Sequence, residues 1–100
     1  MSGYQVPVAR IARPEKIGFE VSIPDEKGIS LFAFHGRLNT PIVDLQDQTW
    51  AADIIRTDQK GRWTYTNRDA KLKKGDVLYY WTTVRYNGVD YHRMRQSADL

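Results

Sequence analysis

The chain is 100 residues long, enough for one hydrophobic core and too short for two. Hydrophobic residues make up 41% and charged residues 27% of it, a globular composition that excludes a disordered or fibrous chain. The formal charge is only +3, and with no cysteine there is neither a disulfide framework nor a thiolate metal site. We therefore expect a single compact domain.

The first residues, Met1-Ser2-Gly3, lack the basic and then apolar pattern of a signal peptide. We interpret residues 1–3 as a remnant of recombinant expression and residues 4–100 as the domain. No apolar run approaches the roughly 20 residues that a membrane-spanning helix needs, so we expect no membrane span.

Short strands between turn signals follow in chain order. Gly18 to Ile23 alternates, with Phe19, Val21 and Ile23 predicted to face inward. After a turn at residues 25–28, Ile29 to Phe34 is apolar on both faces, like a fully covered strand or one leading into an edge contact. Residues 40–49 lack alternation and predict an irregular connection, with a short helical turn as the alternative.

The second half of the chain continues this pattern. Arg62 to Thr66 alternates, and Trp63 and Tyr65 are predicted to lie in the core. The basic run at residues 71–74 precedes a Gly-Asp turn signal and indicates a solvated corner rather than a nucleic-acid arm. Short strands of this kind predict an all-β fold built as a two-sheet β-sandwich.

The strongest local signal is Asn87-Gly88, which predicts a two-residue type I′ turn between two strands. Such a turn places Tyr86 opposite Val89, Arg85 opposite Asp90, Val84 opposite Tyr91, Thr83 opposite His92 and Trp81 opposite Met94. Because Arg85 favours solvent, the same parity directs Trp81 and Thr83 outward, beside Asp90 and His92.

An exposed indole among polar groups suits a sugar. The C–H groups of a pyranose ring pack on the aromatic face while its hydroxyls accept and donate directional hydrogen bonds. The alternative is that a loop or the other sheet covers Trp81, since tryptophan is usually mostly buried.

The sequence offers no catalytic constellation. A glycosidase needs two carboxylates in different environments, whereas acids such as Asp25, Asp58 and Asp76 lie in turn contexts. The histidines, His35 and His92, lie on different segments without a third ligand at metal spacing. We predict no catalytic residue, no metal site and no cofactor.

A long run, Ser22 to Asn39, closely resembles the signature of the insect β-1,3-glucan recognition proteins, also called Gram-negative-bacteria-binding proteins. Further matches are Trp50 with Asp53-Ile54, Gly61-Arg62-Trp63-Thr64, Tyr79-Tyr80-Trp81-Thr82, and Asn87-Gly88 with Tyr91. The resemblance spans Tyr4 to about Arg93. It implies the amino-terminal carbohydrate-binding module of that family, which is an immunoglobulin-like sandwich without catalytic activity.

The resemblance also implies a ligand and a setting. The ligand is β-1,3-glucan, in the triple-helical form found in fungal cell walls, and the setting is a secreted receptor of insect innate immunity whose full-length form acts with defence-cascade proteins. Trp81 matches the glucan-contacting tryptophan of the family, and Asp53 matches an acidic residue of the same face. Together with the hairpin, this predicts a glucan site of Trp81, Asp53, Thr83, His92, Arg85 and Asp90.

Two departures lie on that face. Relatives often have Trp-Thr-Tyr-Val where this chain has Thr83, and Tyr-Arg where it has His92, with Arg93 one step later. A protein-interaction module of the same fold with lost or altered glucan specificity is therefore the runner-up. Binding of single-stranded nucleic acid through exposed aromatic and basic residues is a third reading, and steep salt dependence would distinguish it.

Overall fold

A computed structural model describes residues 3–44 and 48–100, and all regular structure there is β-strand. The strands are β1 (Arg10–Ala12), β2 (Phe19–Pro24), β3 (Ile29–Leu38), β4 (Trp50–Ile54), β5 (Arg62–Asn67), β6 (Val77–Tyr86) and β7 (Val89–Asp99). One sheet has the order β1-β2-β5 and the other β4-β3-β6-β7, with antiparallel neighbours throughout. The predicted all-β, immunoglobulin-like two-sheet sandwich is confirmed.

Some expectations fall outside the described residues. Met1 and Ser2, two of the three residues interpreted as an expression remnant, are among them, as are residues 45–47 of the irregular connection. The described parts of that connection contain no helical turn. Within residues 3–44 and 48–100, no helix is long and apolar enough to cross a membrane.

The core lies between the two sheets and follows the predicted alternation. Phe19, Val21 and Ile23 of β2 are at most 1% exposed, and Phe32 and Phe34 of β3 oppose them at 0%. Each such side chain contributes roughly 1.5–3 kcal/mol by leaving water. Burial of these inward faces is what holds the sheets together.

Aromatic rings fill the centre of this core. Phe34 stacks on Tyr65 of β5 with centroids 4.5 Å apart, and Phe19 meets Trp50 edge-on at 5.2 Å. Gly36 makes this arrangement possible, because a Cβ there would lie 2.4 Å from the Phe34 ring. The glycine therefore serves close packing within β3 rather than a turn.

Trp63 of β5 is buried as predicted, at 5% exposure. Its indole Nε1–H donates to Asp25 Oδ1 at 2.9 Å, so the one polar atom of the ring is satisfied at the sandwich edge. Asp25 was predicted only as a turn residue, and it also satisfies this core tryptophan.

The predicted hairpin is present. Asn87 and Gly88 have φ angles of 51° and 81°, as a type I′ turn requires. From that turn, the pairs Tyr86↔Val89, Arg85↔Asp90, Val84↔Tyr91 and Thr83↔His92 all form as predicted.

The predicted pairing of Trp81 with Met94 is not one-to-one, because an extra residue is inserted here. The register shifts between Tyr80 and Thr82, because Thr82 pairs with Arg93 while Tyr80 pairs with Gln96. Met94 and Arg95 therefore both lie opposite Trp81, in a β-bulge where Arg95 has a φ of 56°. Strict two-residue alternation cannot anticipate such an inserted residue.

The hairpin turn gives a first testable prediction. Gly88→Val places a β-branched residue at φ 81°, which should cost about 1–3 kcal/mol of unfolding free energy in a urea titration. A Cβ there meets no atom within 4 Å, so the cost is conformational rather than steric packing. Gly88→Asn is the matched control, because asparagine tolerates positive φ and should lose clearly less. Equal stability of the valine variant and the wild type would contradict the turn assignment.

Candidate functional site

The outward side of the four-stranded sheet, here called the outer face, collects the residues predicted from the hairpin and the resemblance. Its register places Asp53 of β4, Ala33 of β3, Thr83 of β6 and His92 of β7 in one continuous cross-strand row. His35 and Trp81 form the next row, and Arg85 pairs with Asp90 on the other side. Sheet geometry thus brings together all the predicted site residues, from three different strands.

Trp81 lies on the outer face and is half-buried. Its indole stacks on the imidazole of His35, with centroids 3.8 Å apart and planes only 8° from parallel. The imidazole of His92 approaches edge-on at 6.1 Å and 69°. One face of the indole is therefore covered by protein. Trp81 is neither fully exposed, as the hairpin parity predicted, nor fully covered by a loop or by the other sheet, as the alternative had it.

Thr83 is buried, so it supports neighbouring side chains of the outer face and offers little surface to solvent. Only 7% of Thr83 is exposed, and its Oγ1 lies 2.8 Å from Nδ1 of His92. This hydrogen bond orients the exposed imidazole and leaves its Nε2 for a ligand hydroxyl.

Arg85 and Asp90 form an ion pair at the hairpin end of the face. Arg85 Nε lies 2.9 Å from Asp90 Oδ1, and the two side chains remain 46% and 44% exposed. The hydrogen bond between them lowers the pKa of Asp90 and raises the pKa of Arg85, so both stay charged at neutral pH. Such an exposed pair adds little stability, but it offers fixed donors and acceptors to a ligand.

His35 is a residue of the outer face that sequence reasoning missed. It was considered only as a metal ligand, although its parity relative to the buried Phe34 would have placed it outward. Partial burial lowers the pKa of His35 from 6.5; the charge of Asp53 opposes this shift and that of His92 adds to it. The imidazole is therefore neutral at pH 7.

A groove of about 890 Å³ opens beside Trp81 and was not anticipated either. Its walls are the connection after β3, with Pro41 and Val43, and the β7 bulge, with Met94 and Arg95. Val43 and Met94 are 91% and 41% exposed, so the groove presents apolar surface next to the indole. We call it the Trp81 groove.

Arg93 does not replace the arginine that relatives often carry one position earlier. It pairs with the buried Thr82 and points to the inner side, where it donates to the backbone oxygen of Val6 at 3.2 Å and to Gln96 at 3.2 Å. His92 is the residue that occupies the outward position.

The acids in turns have structural roles, as predicted. Asp58 accepts backbone hydrogen bonds from Lys60 and Arg62, and Asp76 accepts one from Lys73; these bonds lower the pKa of both carboxyls. A glycosidase acid instead needs a raised pKa. The described part of the chain contains no group of three or more His, Cys, Asp or Glu residues that could hold a metal ion.

Comparison with known proteins agrees with this fold. The CBM39 family model, described as "Carbohydrate binding domain (family 32)", matches residues 5–99. The crystal structure of a bromine derivative of BhCBM56 superposes with a TM-score of 0.65 at 17% identity, covering 92% of this chain and 89% of that one. At that identity the superposition speaks for the fold alone.

Other relatives are closer in sequence. The chain is 55% identical over 91 residues to Gram-negative bacteria-binding protein 3 of Drosophila melanogaster, which is 91% of this chain and 18% of that protein. It is 45% identical over 83 residues to the beta-1,3-glucan-binding protein of Tenebrio molitor, or 83% of this chain and 17% of that protein. The chain thus spans less than a fifth of the length of these curated relatives, and it belongs to the CBM39 family of carbohydrate-binding domains.

Proposed function

We propose that this domain binds β-1,3-glucan without cleaving it, through the outer face and with Trp81 as the principal contact. The observation that carries the proposal is the half-buried, pre-oriented indole of Trp81 on a polar sheet face of a CBM39 domain. The choice of glucan rests on relatives such as the beta-1,3-glucan-binding protein of Tenebrio molitor.

The arrangement suits a neutral polysaccharide. A pyranose ring packs its C–H groups on the face of the indole opposite His35, and its hydroxyls reach the imidazole of His92 and the charged pair Arg85 and Asp90. Asp53, at the far end of its cross-strand row, accepts a hydrogen bond from a sugar hydroxyl. Few of these groups need to move, which limits the entropy lost on binding.

The shape of the face bears on the form of the glucan. Neighbouring strands lie about 4.8 Å apart, so a face of four strands is roughly 14 Å wide and open rather than a narrow cleft. A broad, open surface fits several glucan strands lying side by side better than one chain. We therefore propose triple-helical cell-wall glucan as the ligand, and a secreted, antifungal pattern-recognition protein as the setting. Defence-cascade partners belong to the longer protein.

Co-sedimentation tests this function directly. The domain is incubated in parallel with insoluble curdlan, cellulose, chitin and mannan, and the bound fraction is measured at 50 mM and 300 mM salt. We expect depletion by curdlan alone, with little salt dependence because the contacts are to neutral sugar. Failure to bind curdlan would overturn the proposal and favour the protein-interaction module, while steep salt dependence would indicate a polyanionic ligand.

Asp53 gives a second prediction at the edge of this face. Asp53→Ala should weaken soluble β-1,3-glucan binding about 2- to 12-fold, because one hydrogen bond contributes roughly 0.5–1.5 kcal/mol net. The measurement is isothermal titration calorimetry. Asp69→Ala, which removes an exposed carboxylate from a turn after β5, is the matched control and should bind like the wild type. Equal loss in both variants would indicate a general charge effect instead of a contact.

A further inference from the structure

The closest ring contact on the outer face is between His35 and Trp81. Their rings are 3.8 Å apart and 8° from parallel, and the two residues are direct partners across β3 and β6. The sheet register therefore holds the imidazole against the indole, because paired residues on one face have neighbouring Cβ atoms.

The contact between His35 and Trp81 leaves two buried polar atoms without a hydrogen-bond partner, which packing alone does not explain. His35 Nδ1 and Trp81 Nε1 are both buried, and neither has a hydrogen-bond partner among the described residues. Buried unsatisfied polar atoms are disfavoured, and a phenyl ring at position 35 would stack equally well without one. The presence of histidine at this position thus points to a role beyond filling space.

We propose that His35 is a positioning residue for Trp81, the tryptophan on which the sugar stacks. Its imidazole packs flat on one face of the indole and fixes the orientation of the ring that the glucan contacts. The protonation state of His35 determines how firmly the ring is held in that orientation. The inference rests on the proposed function and deepens it. His35 itself does not contact the ligand through its covered face. It acts through Trp81.

The orientation has a functional consequence, because an indole on a flexible side chain must lose rotamer freedom when a sugar stacks on it. The stack with His35 imposes that loss before the ligand arrives. Pre-orientation of this kind raises affinity without adding any contact to the ligand.

The surroundings of His35 make the stack sensitive to pH. The charges of Asp53 on β4 and His92 on β7 act on His35. The register sets the other ionisable groups on nearby rows, namely Arg37 on β3, Tyr79 and Arg85 on β6, and Arg95 in the β7 bulge. Burial dominates their combined effect and lowers the pKa of His35. The folded chain therefore binds fewer protons at this site than the unfolded chain, and stability falls as the pH drops below 6.5. Protonation requires the imidazolium to regain water, which loosens the stack.

The experiment compares His35→Ala, which removes the stack, with His35→Phe, which keeps it without a titrating group. His92→Gln is the control for the other histidine. Binding of soluble β-1,3-glucan is titrated between pH 5 and pH 8, and the Trp81 indole N–H resonance is followed by NMR after assignment with Trp81→Phe. Thermal unfolding verifies that each variant is folded.

At pH 7, His35→Ala should bind roughly 2- to 12-fold more weakly, the range that corresponds to an aromatic pair. His35→Phe should bind like the wild type at pH 7 and lose the decline in affinity at acid pH, while His92→Gln should keep a decline. The Trp81 indole resonance should titrate in the wild type and not in His35→Phe. Wild-type affinity and an unmoved indole signal in His35→Ala would overturn the inference.

A failure of the proposed function is distinguishable from a failure of this inference. If the folded wild type binds no β-1,3-glucan, the proposed ligand is wrong. In that case the Trp81 indole resonance by itself tests the positioning role of His35. A pH titration of this resonance that is present in the wild type and absent in His35→Phe supports the role, and an identical titration in the wild type and His35→Phe overturns it.

Discussion

Trp81→Ala is expected to lower the affinity for β-1,3-glucan at least about thirtyfold. Truncation of a central aromatic contact typically costs 2 kcal/mol or more, and the indole is the aromatic ring on which we propose that the sugar stacks. The unfolding free energy should fall by only about 1 kcal/mol, since the indole is half-buried and loses its stack on His35. Trp81→Ala is therefore expected to lose most of its glucan binding while it keeps most of its stability.

The measurement is calorimetric titration of each variant with soluble glucan, together with urea unfolding of the same samples. Trp81→Phe should show intermediate affinity because it retains a smaller ring. Val8→Ala is the matched control, since Val8 is 62% exposed and lies in the segment before β1, which is a strand of the other sheet. A folded Trp81→Ala variant that binds as tightly as the wild type would place the site elsewhere on the domain.

Trp63→Ala is expected to have the opposite profile, with a loss of roughly 3–5 kcal/mol in unfolding free energy. Trp63 is 5% exposed and packs in the core, so alanine leaves a large cavity between the sheets. The variant also loses the hydrogen bond from the indole to Asp25 at 2.9 Å. Since a domain of this size is typically stable by about 5–15 kcal/mol, the variant should be close to unfolding at 25 °C.

Urea titration followed by far-UV circular dichroism measures this loss. Trp63→Phe is the matched variant and should lose less, because the phenyl ring fills much of the volume but cannot donate to Asp25. Where Trp63→Ala remains folded, its glucan affinity should equal that of the wild type, since Trp63 lies on the inner side of the other sheet. A loss well under 1 kcal/mol would show that the core assignment of Trp63 is wrong.

The two tryptophans illustrate how the fold divides its aromatic residues. Trp63 satisfies its indole N–H with Asp25, whereas that of Trp81 has no partner among the described residues. A residue that only packed would be expected to have its polar atom paired. This contrast adds to the case that Trp81 is held for binding rather than for stability.

Much of the fold followed from local patterns in the sequence. Alternation over β2 and β5 predicted which side chains enter the core, because successive side chains in a strand point to opposite faces. Asn87-Gly88 predicted the register of the hairpin as far as Thr83 and His92, because a two-residue turn leaves no freedom in the pairing next to it. These features depend on residues close together in the chain.

Only the tertiary structure decided how the outer face is built. The bulge that sets Met94 and Arg95 against Trp81 breaks the period of two at a point that no turn signal marks. The stack of His35 on Trp81 joins residues of β3 and β6, and the Trp81 groove needs the connection after β3 to lie near β7. Contacts between segments distant in the chain depend on the order and the register of the strands across a whole sheet. Local alternation in the sequence predicts neither strand order nor register.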